Sequence, residues 1–315
     1  MTRRCLYCYQ LLDDSAIDFH FKCSKAIFGE VMPPVFAHDE TQLSLLAKEI
    51  INSHMAVTGV QPKLSLHISD GAADGVKRFT IVGLWGGYIL KPPTQYYPQL
   101  PEVEDLVMHL AGLVKIKTVP HSLIRLQSGN LAYITKRIDR NKAEKLHMED
   151  MCQITQRLTE HKYQGSYEQV AKAIRQYSTY PGLDLVNFCE LLLFCFFTGN
   201  ADMHLKNFSL IQKTGNGMGL APAYDLVATA LVNPADREQV ALTLNGRKNR
   251  LKRSDFEAIF NSAGLTKKQQ EKIFDKLLGA KRKWLDFIDI SFLSAEFKQQ
   301  FKDIIEHRTS IMEQK

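Results

Sequence analysis

The chain has 315 residues, 45% hydrophobic and 23% charged. This composition excludes a disordered or low-complexity protein and leaves room for two domains or one two-lobed enzyme. A formal charge of +6 at pH 7 and a pI near 8.9 tilt the chain toward anionic partners, nucleotides and acidic proteins among them, without choosing one.

The N-terminal segment MTRRCLYCYQ carries no apolar stretch of signal-peptide length, and the longest apolar run, Leu191 to Phe197, is too short for a membrane span. A cytoplasmic protein is therefore expected, its six cysteines being thiols or metal ligands rather than a disulfide framework. Within residues 1–30, Cys5-x2-Cys8 and His20-x2-Cys23 supply four ligands of the zinc type. Such pairs suit Zn2+ because each short turn aims two ligands at one tetrahedral ion. The competing reading is a small apolar extension whose cysteines merely pack, and Tyr9 stands where a glycine often tightens a knuckle.

After the Pro33-Pro34 break, Leu43, Leu46, Ala47 and Ile50 share one face and predict a helix over 41–52. The pattern then turns to strands at Leu64 to Ile68, Phe79 to Val82 and Tyr88 to Leu90, closed by Pro92-Pro93. An amphipathic helix is expected over 102–114, followed by strands at Ser122 to Leu126 and Leu131 to Thr135. The remainder is mainly helical. These elements divide into a Cys-rich segment at 1–30, a β-rich lobe at 31–138 and a helical lobe at 139–315, an α+β fold of the two-lobed, protein-kinase-like kind.

The segment that carries chemistry is Thr198 to Leu210, TGNADMHLKNFSL. Asp202 and Asn207 have the D-x-x-x-x-N spacing of a protein-kinase catalytic loop, in which a carboxylate accepts the acceptor hydroxyl's proton and an amide oxygen holds magnesium. Lys206 lies between them, placed to offset charge on a transferred phosphoryl group, and His204 could brace the loop or touch phosphate. Asp225, in Ala223-Tyr224-Asp225-Leu226, is the candidate second magnesium ligand. Lys91 ends a strand, where a kinase places the lysine for the α- and β-phosphates, with Glu102 and Glu104 as its available partners. The loop Ala56 to Lys63 has a single glycine and is a weak phosphate cradle on its own. Each feature alone is commonplace. Their shared order is that of a kinase.

Taken together, Gly59-Val60-Gln61-Pro62-Lys63, Ile89-Leu90-Lys91-Pro92, Arg137-Ile138-Asp139-Arg140, Leu146 to Asp150 with Gln153, Asn200 to Ser209 and Tyr224-Asp225 resemble the HipA-like serine/threonine kinases of bacterial toxin–antitoxin systems. The resemblance runs from about residue 55 to about 255. It implies ATP and Mg2+ as cofactors, phosphate contacts from Gly59, Gln61, Lys63 and Lys91, adenine at the backbone of Lys136 to Ile138, Asp202 as base, and Asn207 and Asp225 as metal ligands. At 315 residues the β-rich subdomain that opens the full-length toxins is not expected, and the resemblance implies a short HipT-like toxin of a three-component system. The partners implied are a HipS-like small protein, a HipB-like DNA-binding antitoxin and a protein substrate such as an aminoacyl-tRNA synthetase. Relatives autophosphorylate serines before the Gly-Val-Gln; with Ala56 here, Thr58 or Ser53 would serve.

The basic run Arg247 to Arg253 reads as a solvated face rather than a nucleic-acid site, since no aromatic residue is interleaved for stacking, and Ser254-x-x-Glu257 reads as a capping box. Direct nucleic-acid or membrane binding is not expected. Cys152, Cys189 and Cys195 belong in the core. Other readings are a small-molecule phosphotransferase of the same fold and a pseudokinase scaffold that binds partners through its Cys-rich end. The joint presence of Lys91, Asp202, Asn207 and Asp225 argues against the scaffold.

Overall fold

A computed structural model describes residues 3–13, 16–43, 45–46, 63–70, 75–83, 85–141, 144–213, 215 and 217–314. Residues 40–43 and 45–46 are helical, and the rest of the helix expected over 41–52 lies outside the described residues, as do Ser53, Thr58, Gly59 and Gln61. The chain divides into two compact units: Met1–Asp105 with Val119–Arg140 and Ile290–Phe292, and Leu106–Thr118 with Asn141–Asp289 and Leu293–Lys315.

The first unit holds a helix, α1 (Phe21–Phe28), and five antiparallel strands: β1 (Leu64–Ser69), β2 (Arg78–Val82), β3 (Tyr88–Lys91), β4 (His121–Arg125) and β5 (Leu131–Lys136). Their order is β2-β1-β3-β5-β4, which makes β3 the central strand. The register sets Leu64 against Leu90, and Leu90 against Ile134. Because side chains alternate along a strand, these apolar residues line one face, and all three are buried. Ile27 and Phe28 of α1 are buried too, Phe28 meeting Phe79 edge-on at 5.6 Å while the Tyr88 hydroxyl donates to the Ile27 carbonyl at 3.1 Å. Gly86 precedes β3 where a Cβ would stand 2.4 Å from the Leu66 carbonyl oxygen, so only glycine permits that approach.

A helix α2 (Leu100–Leu113) opens in the first unit and has its later turns in the second. The second unit adds a sheet of β6 (Met148–Asp150), β7 (Ser209–Gln212) and β8 (Met218–Leu220), with β7 in the middle. Around it run α3 (Met151–Ile154), α4 (Tyr167–Tyr177), α5 (Pro181–Phe197), α6 (Thr229–Val232), α7 (Arg253–Ser262), α8 (Lys267–Leu278), α9 (Lys281–Asp289) and α10 (Ala295–Glu313). Helix α5 is apolar on nearly every side and buries Leu185, Phe188 and the whole run Leu191–Phe197, as a central core helix must. Trp284 of α9 is fully buried and meets Phe194 edge-on at 5.7 Å, its indole N–H donating to the Leu110 carbonyl at 3.1 Å. Cys152, Cys189 and Cys195 lie in this core.

The capping expected at Ser254 is not formed. Helix α7 begins at Arg253 with Lys252 as its cap, two positions before Ser254; there the Asp255 carboxylate accepts the Lys252 amide at 2.9 Å, and Glu257 pairs with Arg253 at 3.2 Å instead. Asp255 wins because it is itself buried and reaches back to the free amide, whereas Glu257 has a cation one turn away.

Glu102, at the start of α2, has its pKa pushed up to about 7, chiefly by burial, with the nearby Asp105 charge adding to it. A carboxyl raised this way is protonated in the fold at pH values where the unfolded chain has already ionised, so stability falls as pH rises from about 4.3 to 7. Glu102→Gln should raise the unfolding free energy by up to about 3 kcal/mol at pH 8 and leave it unchanged near pH 4. Thermal denaturation of both proteins at the two pH values measures this. An equal gain at both would assign the effect to packing.

Candidate active site

Helix α5 ends at Phe197, and the chain turns at Gly199 with φ +68, where a Cβ would press within 3.0 Å of Ala230 Cβ and Ile304 Cγ2. This glycine lets the chain leave the buried helix at once. Asn200 is buried and accepts the Asp202 amide on its Oδ1 at 3.0 Å. The Asp202 carboxylate accepts the Tyr163 hydroxyl at 2.6 Å, while its own backbone carbonyl accepts Asn207 Nδ2 at 2.9 Å. A short 3-10 turn, Leu205–Asn207, closes the five-residue spacing. The Asp-to-Asn interval thus has a geometric cause: it is the length over which this turn brings the amide back to the aspartate's carbonyl.

Neighbouring charges are fixed in the same way. Lys206 Nζ is 2.8 Å from Asp150 Oδ2, and the other Asp150 oxygen caps α3 in a reciprocal capping box with Gln153. The Tyr224 hydroxyl donates to the Lys206 carbonyl at 3.0 Å and lies 2.5 Å from Ser209 Oγ. Asp225 follows with φ +60, a left-handed conformation that aspartate adopts more readily than most residues and that recurs at functional sites.

His204 is 6% exposed, meets the Tyr163 ring edge-on at 4.9 Å, and its Nδ1 has no hydrogen-bond partner among the described residues. Burial lowers its pKa, against the opposing charges of Asp202 and Asp225, and keeps the ring neutral near pH 7. The Tyr163 phenol is pushed up by burial first and then by the hydrogen bond and charge of Asp202, so it stays a donor. Both carboxylates therefore act on the same two aromatic groups. Asp225 and Asn207 supply hard oxygen donors of the kind magnesium takes.

In the first unit, Lys91 is 4% exposed and Glu104 fully buried, and they form an ion pair at 2.5 Å with the ammonium 5.4 Å from the Tyr133 ring centre. Of the two expected partners, α2 turns Glu104 to the lysine and leaves Glu102 aside. At the strand end, the Lys136 amide donates to the Pro120 carbonyl and the Arg137 amide to the Gly87 carbonyl, both at 2.8 Å. Asp139 is gripped by Arg137 through two contacts, at 2.9 and 2.7 Å, and by Arg140 at 3.0 Å. Burial alone would raise its pKa, but the two guanidinium groups outweigh it and hold the carboxyl below its usual value. Asp139 and Asp150, the other carboxylates of these motifs, are thus both committed to structure.

Residues 55–284 match the HipA-like C-terminal domain. The chain belongs to this family. It is 30% identical over 228 residues to a Haemophilus influenzae protein named as a candidate kinase, covering 69% of this chain and 63% of that one. It is 33% identical over 187 residues to a candidate kinase of Sinorhizobium fredii, covering 55% of this chain and 45% of the relative. The chain thus spans roughly half to two-thirds of these relatives' lengths. Among solved structures it resembles HipA of Shewanella oneidensis, determined with HipB and operator DNA, at a TM-score of 0.65 and 20% identity over 84% of this chain and 70% of that one. The Helicobacter pylori proinflammatory kinase CtkA is similar at a TM-score of 0.52 and 15% identity over 78% of this chain and 93% of the other. The fold of this HipA-like chain is therefore α+β and kinase-like. Among the described residues no helix is long and apolar enough to cross a membrane.

In this HipA-like domain Asn207 binds the Asp202 carbonyl, the charges of Asp202 and Asp225 both act on His204, and Lys206, on the same loop, is turned to Asp150. Sequence reasoning missed Tyr163, which donates to Asp202, because nothing in Thr159 to Gly165 marks a motif. It also left Tyr224 without a role inside a quoted motif and held Asp150 only as an alternative base. Removing one member of a buried ion pair leaves an uncompensated charge, which costs about 3–5 kcal/mol. Glu104→Ala should therefore lower the urea-unfolding free energy by that amount. Adding Lys91→Met should recover most of the loss. A double variant as unstable as the single would mean that the pair is not what stabilises this core.

Proposed function

We propose that this HipA-like domain is an ATP- and Mg2+-dependent serine/threonine protein kinase acting as the toxin of a toxin–antitoxin system. The observation that carries the reading is the tie between Asn207 Nδ2 and the Asp202 carbonyl, with Tyr163 holding the Asp202 carboxylate. One side chain is presented as an oriented proton acceptor. The other has its amide nitrogen engaged, which directs its oxygen elsewhere.

In this reading Asp202 accepts the proton of the acceptor hydroxyl. Asn207 and Asp225 hold magnesium, which when bound offsets the charge of the ATP phosphates. Lys91, kept in place by Glu104, anchors the α- and β-phosphates. Lys206 is held by Asp150 beside the Asp202 loop and adds positive potential there. His204 is a positioning residue: neutral and buried against Tyr163, it shapes the loop without contributing charge. At Lys136 to Ile138 two amides are already engaged by Pro120 and Gly87, so the adenine contacts fall to the carbonyls and to the Ile138 amide. Gly59, Gln61 and Lys63 are assigned to the phosphates, and Thr58, with Ser53 second, to self-phosphorylation. A HipS-like protein and a HipB-like antitoxin are the partners this reading implies, as HipA of Shewanella oneidensis was determined with HipB and operator DNA. An aminoacyl-tRNA synthetase is the substrate class, with translation arrest as the result.

Asp202→Asn should abolish phosphoryl transfer while leaving Mg·ATP affinity within a few-fold, because the carboxylate acts on the chemical step. Asp225→Ala should instead remove magnesium-dependent nucleotide binding. Calorimetry with ATP and with Mg·ATP, beside a γ-phosphate transfer assay, separates the two. An Asp202→Asn protein that still transfers phosphate overturns the assignment. Tyr163→Phe should lower kcat by about 10- to 100-fold at unchanged ATP KM, the loss of one hydrogen bond to a charged group. Mass spectrometry after incubation with ATP locates the phosphate; none between Ser53 and Ser65 in active protein removes the self-phosphorylation.

A further inference from the structure

The N-terminal cysteines take no part in the chemistry above, yet they are not scattered through a small core. Cys5 Sγ, Cys8 Sγ, His20 Nδ1 and Cys23 Sγ all lie within 4.8 Å of one another. Ligands of a tetrahedral zinc, with Zn–S about 2.3 Å and Zn–N about 2.0–2.1 Å, stand roughly 3.5–3.8 Å apart. Cys8 Sγ is 3.5 Å and Cys23 Sγ 3.7 Å from His20 Nδ1. The other ring nitrogen settles the tautomer. His20 Nε2 lies 2.9 Å from the Leu11 carbonyl oxygen, which can only accept, so Nε2 is the donor and in the neutral ring Nδ1 keeps a lone pair that faces the sulfurs. A metal-ligating histidine is held in just this way by its outer nitrogen.

The backbone agrees. The turn from Cys5 closes with the Tyr9 amide on the Cys5 carbonyl and the Cys5 amide on the Gln10 carbonyl, both at 2.9 Å, which aims both sulfurs to one side. Tyr9 adopts φ +64, the left-handed conformation for which a knuckle normally uses glycine. Strain of this kind, about 1–2 kcal/mol, needs a compensating interaction. It has one: the buried Tyr9 hydroxyl donates to Asp105 Oδ2 at 2.8 Å, and Asp105 Oδ1 lies 2.7 Å from His121 Nδ1. Asp105 adjoins Glu104, the partner of Lys91.

We infer that Cys5, Cys8, His20 and Cys23 bind one structural Zn2+, and that the resulting knuckle fixes the first turns of α2 through Tyr9 and Asp105. Without a metal the single Nδ1 lone pair could accept one S–H donor, yet both Cys8 and Cys23 stand at ligand–ligand distance from it, as they would around one ion, with Cys5 in the same cluster. A disulfide would use two sulfurs and leave the third thiol and the imidazole unexplained.

Metal analysis and cobalt substitution of the full chain test the site without any assay of activity. One equivalent of zinc per chain is expected, replaceable by Co2+ to give the intense visible bands of tetrahedral coordination and a thiolate charge-transfer band. Cys23→Ser should weaken cobalt binding by more than the roughly 10–100-fold that loss of an outer-shell partner costs. His20→Cys should keep one equivalent with a shifted spectrum, which guards against a variant that simply unfolds. A folded chain without metal, iron in place of zinc, or a Cys–Cys disulfide found by mass spectrometry would overturn the site. For the link to α2, hydrogen exchange at residues 103–105 is read in zinc-loaded protein. Tyr9→Phe should retain zinc yet exchange there about tenfold faster, as expected for one lost hydrogen bond. Unchanged exchange would remove the link.

Discussion

An ammonium group cannot be kept in a protein interior without a carboxylate, and Lys91 has Glu104. Much of the first unit is arranged around that necessity. Lys91 ends β3, the central strand, which receives hydrogen bonds from β1 on one side and β5 on the other. Glu104 must then arrive from elsewhere, and α2 brings it, held by the contact of Tyr9 with the adjacent Asp105. A strand and a helix that share no register are thereby set relative to each other within this unit.

The same economy governs the second unit, where each side chain of the candidate site is oriented by a neighbour. Asp202 has Tyr163, Asn207 has the Asp202 carbonyl, and Lys206 has Asp150. Burial also sets the two aromatic neighbours apart. Tyr163 and His204 share the influence of Asp202 and Asp225, but the phenol is pushed up and remains a donor while the imidazole is pushed down and stays neutral. Charge in this network is left to the carboxylates and to the Lys206–Asp150 pair. Below it, α5 gives the rigidity such geometry needs: a helix buried on nearly all sides cannot shift without breaking the core, and Gly199 passes that fixed position to the loop.

Local features were legible in the sequence because local rules determine them. Alternation marked β1, short apolar runs between glycines marked β2 and β3, the apolar run of α5 marked a core helix, and the Asp202-x4-Asn207 interval is set by a single turn. Long-range partners were not legible. Tyr163 reaches Asp202 across 39 residues and Asp150 reaches Lys206 across 56, and neither spacing reflects any helix or strand period. Choosing Glu104 over Glu102 needed the rotation of α2 about its axis, which two glutamates two positions apart leave open. Ser254 failed as a cap for a related reason: the rule names residue types, while the winner was the carboxylate that tertiary packing had already buried.

Tyr9 shows how far a sequence exception can carry. Read alone, a tyrosine after Cys8 weakens the case for a metal knuckle, since its backbone must enter a conformation costly for any residue with a Cβ. In the fold the residue supplies a hydroxyl that no glycine could, donated to Asp105 in a fully buried setting, and a ring that meets Phe292 edge-on at 4.8 Å. The departure from the motif is one of the places where the segment is tied to its unit, beside Leu6, whose carbonyl accepts the Leu123 amide, and Asp18, which pairs with Arg125. A glycine there would relax the turn and remove one tie to the helix, leaving those of Glu104 to Lys91 and Asp105 to His121.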